Sequence, residues 1–390
     1  MVDVVLVALL LIFAVNGYRQ GFVVGLLSFL GFFTGAVLGL QLGPRLANQF
    51  EGDSKRVLIS IVTIFGLAIL GQTLAGLVGA RLRNAISNRT AQRFDDLGGA
   101  FVSAIAVLVV IWLVAAPLGQ SSLPWLAKSI RNSAIIGTVD KVMPDQARRL
   151  SDALRSTVNT QGFPQVFDGL VPTRVREVDE PRSDLADSTA AINAERSVVK
   201  ILATAQSCSR RIEGSGFVYA TDRIMTNAHV VAGAKKIEVV TGGGRKSGRV
   251  VVYDSSRDLA VIYVQNLGLP VMRFAPKPAV TGADAVVVGY PLDGPYDRQA
   301  ARVRDVRSIT GPDIYDRDRV TREVYTIRGL VRSGNSGGPL LSTEGAVLGV
   351  IFAAAADDPQ TGFAVTAAEA APVAEEGIRQ TASTSTGACA

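Results

Sequence analysis

Four long apolar runs fill the first 120 residues of this 390-residue chain, and nothing after them is comparably apolar. A helix needs about 20 consecutive apolar residues to cross the hydrocarbon core of a bilayer. Segments 2–15, 22–43, 57–79 and 101–118 approach or meet that length, which predicts a four-helix transmembrane domain over residues 1–118, embedded in a lipid bilayer. The first run is short, but it lacks the basic start and the small-x-small cleavage site of a signal peptide, so it is expected to be retained. Gly31, Gly35, Gly39 and Gly43 recur every four residues in the second run. On a helix they share one face and let a neighbouring backbone come close. That neighbour is either another helix of this chain or a second copy, so self-association through span two is one expectation. No carboxylate or histidine lies inside the runs to mark an ion path, and Asp3, at the edge of the first, is the nearest ionisable residue. This weighs against a transporter or channel.

Four spans put both termini on one side, and charge does not choose that side. Loops one and three carry five basic residues against three in loop two, but Lys128 and Arg131 beyond span four even the count. The only cysteines, Cys208 and Cys389, lie far apart in the C-terminal part and fit either a disulfide or two separate thiols. A disulfide requires an oxidising compartment and would place the C-terminal domain outside the cytoplasm. With the single histidine, the cysteines make no zinc-ligand set, so no metal and no cofactor is called for. The net charge of +6 is spread over scattered arginines without interleaved aromatics, and no nucleic-acid partner is expected.

Residues 119–191 read as a linker. Apolar residues at helical spacing over 134–158 predict an amphipathic helix interrupted at Pro144. Residues 174–187 are charged and poor in apolar side chains, as in an exposed tether open to proteolysis.

From 192 to 390 the pattern changes to short alternating runs between glycine turns, at 216–219, 236–240, 250–253, 259–264, 285–289, 324–327, 347–352 and 362–365. Many short strands with few helical patterns between them predict an all-β domain, a barrel or sandwich pair. Within it, Gly334-Asn335-Ser336-Gly337-Gly338-Pro339-Leu340 sets small residues around a serine. Such a turn lets backbone N–H groups converge on the oxyanion that forms when Ser336 Oγ attacks a carbonyl. The motif also satisfies the Gly-x-Ser-x-Gly elbow of the α/β-hydrolases, whose histidine follows the serine. The one histidine here, His229, lies 107 residues upstream, which excludes that triad.

The order His, Asp, Ser is that of chymotrypsin-like serine proteases. Asp258 opens the apolar run Leu259-Ala260-Val261-Ile262 and is the expected partner of His229, while Asp254 reads as part of an exposed turn. Three motifs carry a resemblance: Gly214-Ser215-Gly216-Phe217-Val218, Thr226-Asn227-Ala228-His229-Val230-Val231 and the serine motif. With Asp258-Leu259-Ala260-Val261 and the closing Thr361-Gly362-Phe363-Ala364-Val365, they resemble the protease domain of the high-temperature-requirement family. That likeness implies a double β-barrel, a His229–Asp258–Ser336 triad and oxyanion donors at Gly334 and Ser336. It also implies an S1 pocket floored by Leu330 and walled by the strand bearing Ile351 and Phe352. With no carboxylate at Leu330, a small-to-medium apolar or uncharged P1 residue is expected. The chain ends soon after the closing strand, so PDZ-driven trimeric control is not expected.

The first 120 residues, with Asn16-Gly17-Tyr18-Arg19-Gln20-Gly21 after a short span, resemble the colicin V production family. The combination is similar to the membrane-bound acid-resistance serine proteases of mycobacteria and related actinobacteria. That likeness implies a periplasmic protease acting on envelope proteins or peptides under acid and oxidative stress, and a Cys208–Cys389 disulfide. A non-enzymatic scaffold or chaperone with a protease-like domain is the alternative, and the complete triad weighs against it.

Overall fold

The computed structural model describes residues 2–47, 53–86, 88–119, 124–144, 173, 175–206 and 210–389. Two compact units divide the chain: Met1–Ala116 with Ser133–Ser151, and Pro117–Asn132 with Asp152–Ala390.

The first unit holds four long helices, α1 (Val2–Gln20), α2 (Phe22–Ala47), α3 (Asp53–Asn84) and α4 (Arg89–Leu118). All four are long and apolar enough to cross a membrane. The glycine face of α2 meets α3 of the same chain: a Cβ at Gly31, Gly35 or Gly39 would run into the backbone at Gly71, Leu67 and Ile64. The close approach anticipated from the glycine spacing is therefore made inside the unit. Of the two neighbours expected for that face, a helix of this chain is the one found at Gly31, Gly35 and Gly39.

The Asn16-to-Gly21 motif is explained in the same way. Gly21 turns the chain between α1 and α2 with φ +82°, a left-handed conformation glycine adopts without steric cost. Arg83 of α3 donates to the carbonyls of Arg19 and Gln20, both at 2.6 Å, and so caps the end of α1. The same guanidinium pairs with Asp95 at 3.0 Å and Asp96 at 2.6 Å. Asp95 in turn accepts from Val23 N–H at the start of α2 (2.9 Å). The helical body of α4 thus begins well before residue 101 and carries two carboxylates, which the apolar run alone did not reveal. Their charge is met by Arg83, as a buried carboxylate requires.

A short helix α5 (Pro124–Arg131) precedes α6 (Ala134–Val142), whose N-cap Ser133 accepts from Ile136 N–H at 3.2 Å. The amphipathic helix expected over 134–158 stops at Val142, ahead of Pro144, and 145–158 lie outside the described residues.

The second unit is built on two closed six-stranded barrels. The first runs β1-β2-β3-β6-β5-β4 and the second β10-β11-β12-β9-β8-β7. Their strands are β1 (Val198–Ala205), β2 (Arg210–Ala220), β3 (Arg223–Thr226), β4 (Lys236–Thr241), β5 (Gly244–Asp254), β6 (Leu259–Tyr263), β7 (Asp284–Gly289), β8 (Asp297–Pro312), β9 (Arg319–Gly329), β10 (Pro339–Ser342), β11 (Val347–Ala354) and β12 (Thr361–Thr366). The period of two sorts each strand's side chains. Val199, Ile201 and Ala203 of β1 fill the first barrel, and Val287, Ile327, Leu340 and Ile351 fill the second. Val198, Phe217, Val288, Phe352 and Phe363 point the other way into a shared core between the barrels. A short helix α7 (Thr189–Ala194) adds Ala191 and Ala194 to that core, and α9 (Ala367–Arg379) adds Ala370, Val373 and Ala374. Arg223 closes α9 by donating to the Gly377 carbonyl at 2.6 Å and the Gln380 carbonyl at 2.8 Å, which satisfies carbonyls that a helix end leaves free.

Residues 175–182 are not the free tether their composition predicts. They form a strap held by outward-facing arginines of β8 and β9. Arg304 donates to the Arg176 carbonyl at 3.0 Å, and Arg328 to the Val178 carbonyl at 2.7 Å and to Glu180 at 2.8 Å. Ahead of the strap, Thr173 N–H bonds Asp357 at 2.8 Å.

Substitution at Gly35 tests the α2–α3 contact. Gly35→Leu in the detergent-solubilised protein is expected to lower the thermal midpoint, since overpacking a tight contact costs about 1–3 kcal/mol. Gly66→Leu is expected to leave the midpoint unchanged, because a Cβ there meets nothing within 4 Å.

Candidate active site

The site is assembled where the barrels meet. Strand β3 pairs with β6, Thr226 opposite Ala260, so the residues that follow β3 lie beside those that precede β6. After β3 the chain makes a single helical turn, α8 (Ala228–Val231), which carries His229. Before β6 stands Asp258, fully buried, with φ +56°, a left-handed conformation for which Asp is one of the more tolerant residues. Both carboxylate oxygens bind His229: its backbone N–H donates to Oδ1 at 2.9 Å, and ring Nδ1 lies 2.7 Å from Oδ2. With the carboxylate as acceptor, the proton sits on Nδ1, leaving the Nε2 lone pair available. Asn227 Nδ2 bonds the Asp258 carbonyl at 2.7 Å and holds the turn.

Arg322 is buried in the same region, donating to the Ser256 carbonyl at 2.5 Å and the Pro312 carbonyl at 3.1 Å. Burial lowers its pKa from the usual arginine value, while Asp258, Asp313, Asp254 and Glu369 oppose that shift. Asp254, the competing carboxylate, is engaged elsewhere: it pairs with Arg257 at 2.9 Å.

Ser336 lies between β9 and β10, nearly buried at 4% exposure. Its carbonyl accepts from Ser215 N–H of β2 at 2.8 Å. A Cβ on neighbouring Gly214 would meet Val230 Cγ of α8 at 2.7 Å and the Ser336 carbonyl at 3.2 Å. Gly214 is therefore the seam between the histidine's helix and the serine's loop. Among the described residues no hydrogen bond joins Ser336 Oγ to His229 Nε2. Such contacts are often long in free enzymes and tighten on substrate binding.

The loop around Ser336 is fixed peptide by peptide. In a trans peptide the C=O and the following N–H point in opposite directions. The Ser333 carbonyl accepts from Leu292 N–H at 2.8 Å, which turns Gly334 N–H to the opposite side. The Asn335 carbonyl accepts from Gly338 N–H at 2.9 Å, which does the same for Ser336 N–H. Among the described residues neither Gly334 N–H nor Ser336 N–H has an acceptor. Gly334 and Gly337 hold φ of +94° and +82°, so the turn needs glycine at both. Two free, oriented donors beside a serine are what a developing oxyanion requires.

The residues anticipated for the substrate pocket separate. Leu330 is half-buried at the base of the loop, whereas Ile351 and Phe352 are fully buried in the two packed cores. What β11 can offer a substrate is therefore backbone rather than those side chains. Cys389 lies against Gly233, just after α8, and Cys208 falls outside the described residues. Ser215, Tyr290 and Leu292, which surround the serine loop, carried no role in the sequence reading. The Gly-Ser-Gly spacing was the one signal available for Ser215.

Paired six-stranded barrels with a histidine–aspartate pair and a serine loop at their seam define a chymotrypsin-like serine protease. Residues 214–350 match the trypsin-like peptidase domain, and residues 2–144 match the colicin V production protein. The serine protease Rv3671c of Mycobacterium tuberculosis is 39% identical over 389 residues, covering 99% of this chain and 98% of that one. The crystal structure of the active form of the Rv3671c protease superposes with a TM-score of 0.55 at 45% identity, over 58% of this chain and 99% of that one. The serine protease Do-like HtrA of Lactococcus lactis is 32% identical over 149 residues, 35% of this chain and 36% of that protein. The chain belongs to the trypsin-like serine protease family of Rv3671c.

Asp258→Asn tests the histidine–aspartate pair. The amide keeps the shape but permits the wrong imidazole tautomer, and kcat is expected to fall about 10⁴-fold. A near-wild-type kcat in the purified variant would show that His229 does not depend on Asp258.

Proposed function

We propose that this protein is a membrane-anchored endopeptidase with its protease domain on the extracytoplasmic side, working through His229, Asp258 and Ser336. The two-point bond between Asp258 and His229, 2.9 and 2.7 Å, is the observation that carries the reading. In it, His229 Nε2 takes the proton from Ser336 Oγ as the oxygen attacks the scissile carbonyl. The N–H groups of Gly334 and Ser336 receive the oxyanion. His229 then protonates the leaving amine, and water resolves the acyl-enzyme. Asp258 keeps the imidazole oriented and stabilises its cation. Protein or peptide substrates of the cell envelope are the expected partners, with an apolar or uncharged P1 residue over Leu330. Survival under acid and oxidative stress is the physiological role, and cleavage of the linker releases a soluble protease. The resemblance to the membrane-bound acid-resistance proteases supports the stress role, and the place of the linker between the apolar helices and the protease domain supports the cleavage.

One experiment addresses chemistry, side and processing together. A membrane-impermeant fluorophosphonate applied to intact cells is expected to label the wild-type protein and not Ser336→Ala. An immunoblot of the same samples is expected to show the shortened form only in wild type, and the Ser336→Ala strain is expected to grow poorly in acid. Labelling of Ser336→Ala would sink the triad. Labelling only after cell lysis would sink the orientation.

The Cys208–Cys389 disulfide is part of the same reading, supported by Cys389 not being a free thiol. Closing so long a loop is expected to stabilise the protease by about 2–5 kcal/mol. A thermal midpoint unmoved by reductant would contradict the bond.

A further inference from the structure

We infer that the hydroxyl of Ser215 is a positioning group for catalysis, holding the oxyanion-donating loop of Ser336 from the opposite barrel. The inference rests on the triad reading above and adds to it a side chain that touches neither substrate nor the reacting atoms.

Ser215 is fully buried in β2 of the first barrel. Its Oγ donates to the Gly334 carbonyl at 2.6 Å and accepts from Tyr290 N–H at 2.9 Å. Its own N–H holds the Ser336 carbonyl at 2.8 Å, and its carbonyl accepts from Thr226 Oγ1 at 2.8 Å. The backbone contacts survive any substitution, so the hydroxyl is the part that the sequence chooses. It fixes two things at once. Directly, it sets the peptide between Gly334 and Asn335, which lies between the two oxyanion donors. Through Tyr290 N–H it also anchors the segment Tyr290–Asp293, whose Leu292 N–H orients the peptide carrying the Gly334 donor.

That segment has one local bond, from Gly294 N–H to the Pro291 carbonyl at 2.9 Å, and depends on its surroundings for the rest. Leu292 and Asp293 both stand at positive φ, +56° and +54°, a conformation that costs energy in residues other than glycine and persists only where the surroundings impose it. Lys200 secures the far end, donating to the Asp293 carbonyl at 2.8 Å and its carboxylate at 2.9 Å. Ser215 secures the near end. Three glycines crowd it: a Cβ at Gly289 would stand 2.6 Å from Ser215 Oγ, one at Gly338 would stand 3.3 Å from Ser215 Cβ, and one at Gly337 would strike the Ser215 carbonyl. Little room remains for a water to replace a deleted hydroxyl. An alanine there would leave the Gly334 carbonyl and the Tyr290 N–H buried without partners, and the loop would shift to find others. Donors displaced by a fraction of an ångström still bind the ground-state carbonyl but stabilise the tetrahedral oxyanion less.

The test uses the full-length protein in detergent, a fluorogenic peptide with an apolar P1 residue, and a peptide trifluoromethyl ketone whose hemiketal oxygen enters the oxyanion site. Ser215→Ala is expected to lower kcat about 10- to 100-fold while KM stays within about twofold. The inhibition constant of the ketone is expected to rise in proportion to the loss in kcat/KM. Ser215→Cys, close in volume and with a weak donor, is expected to fall between. A folded Ser215→Ala protein with wild-type kcat overturns the inference. So does a fall in kcat with ketone affinity unchanged. If the alanine variant does not fold, Ser215→Cys decides by the same two readings, and wild-type kcat there overturns the inference. Ser336→Ala separates the two levels: activity surviving in it removes the triad reading, whereas activity lost there but retained in Ser215→Ala removes only the role of Ser215.

Discussion

A carboxylate with no exposure to water organises the catalytic unit. Asp258 carries its charge at the seam of two barrels, where an unpaired ion is untenable, so its oxygens must be met by donors that the fold supplies. His229 supplies both, through its backbone and its ring. Satisfying them dictates where α8 sits, and α8 sits there because β3 delivers it next to the start of β6. The same pairing helps to close the first barrel. Closure of the barrel and orientation of the imidazole are therefore one requirement rather than two, and the buried Arg322 adds a compensating charge nearby.

The second barrel meets a different demand, which concerns peptide planes instead of charge. For Gly334 and Ser336 to present free N–H groups, the carbonyls of their own peptides must be held on the other side. Leu292 and Gly338 do so. The Gly334 and Ser336 carbonyls are taken by Ser215 from the first barrel. Each barrel thus completes what the other needs: the first holds the acid–base pair and clamps the loop, and the second presents the nucleophile. Neither barrel alone holds a complete site.

Much of this was legible in the sequence because the chemistry is local there. The histidine, aspartate and serine motifs are each a few residues long, and their order along the chain separated two catalytic folds. Strands with short unbroken apolar runs, such as 250–252 in β5 and 285–288 in β7, were legible from those runs. Strand β8 was not. It carries Arg298, Arg302, Arg304 and Arg307, of which Arg302 and Arg304 bind the strap, so it reads as a charged loop. The strap itself was misread for the complementary reason: composition reports charge, not whether that charge has a partner. Asp95 and Asp96 were overlooked likewise, since their partner Arg83 lies on a different helix. Ser215 was visible as a residue in a motif, but its role depends on Gly334 and Tyr290, which lie 119 and 75 positions away. Contacts between distant segments leave no periodic trace.

The strap also redefines where the protease begins. The side chains of Arg302, Arg304 and Arg328 are only 15%, 3% and 19% exposed, and the strap's carbonyls and carboxylates supply part of their pairing. Removing residues 175–182 would strip Arg304 and Arg328 of the carbonyl and carboxylate partners they hold there. Thr173 bonds Asp357, and Arg304 reaches Asp358 at 3.7 Å. Both aspartates lie in the loop that follows β11, the strand whose Ile351 pairs with Gly337 and Gly338 of the serine loop. The strap therefore belongs to the catalytic fold energetically, although its sequence reads as linker. A break in the chain upstream of Thr173 spares every one of these contacts, and a break within the strap cuts into the support of the site itself.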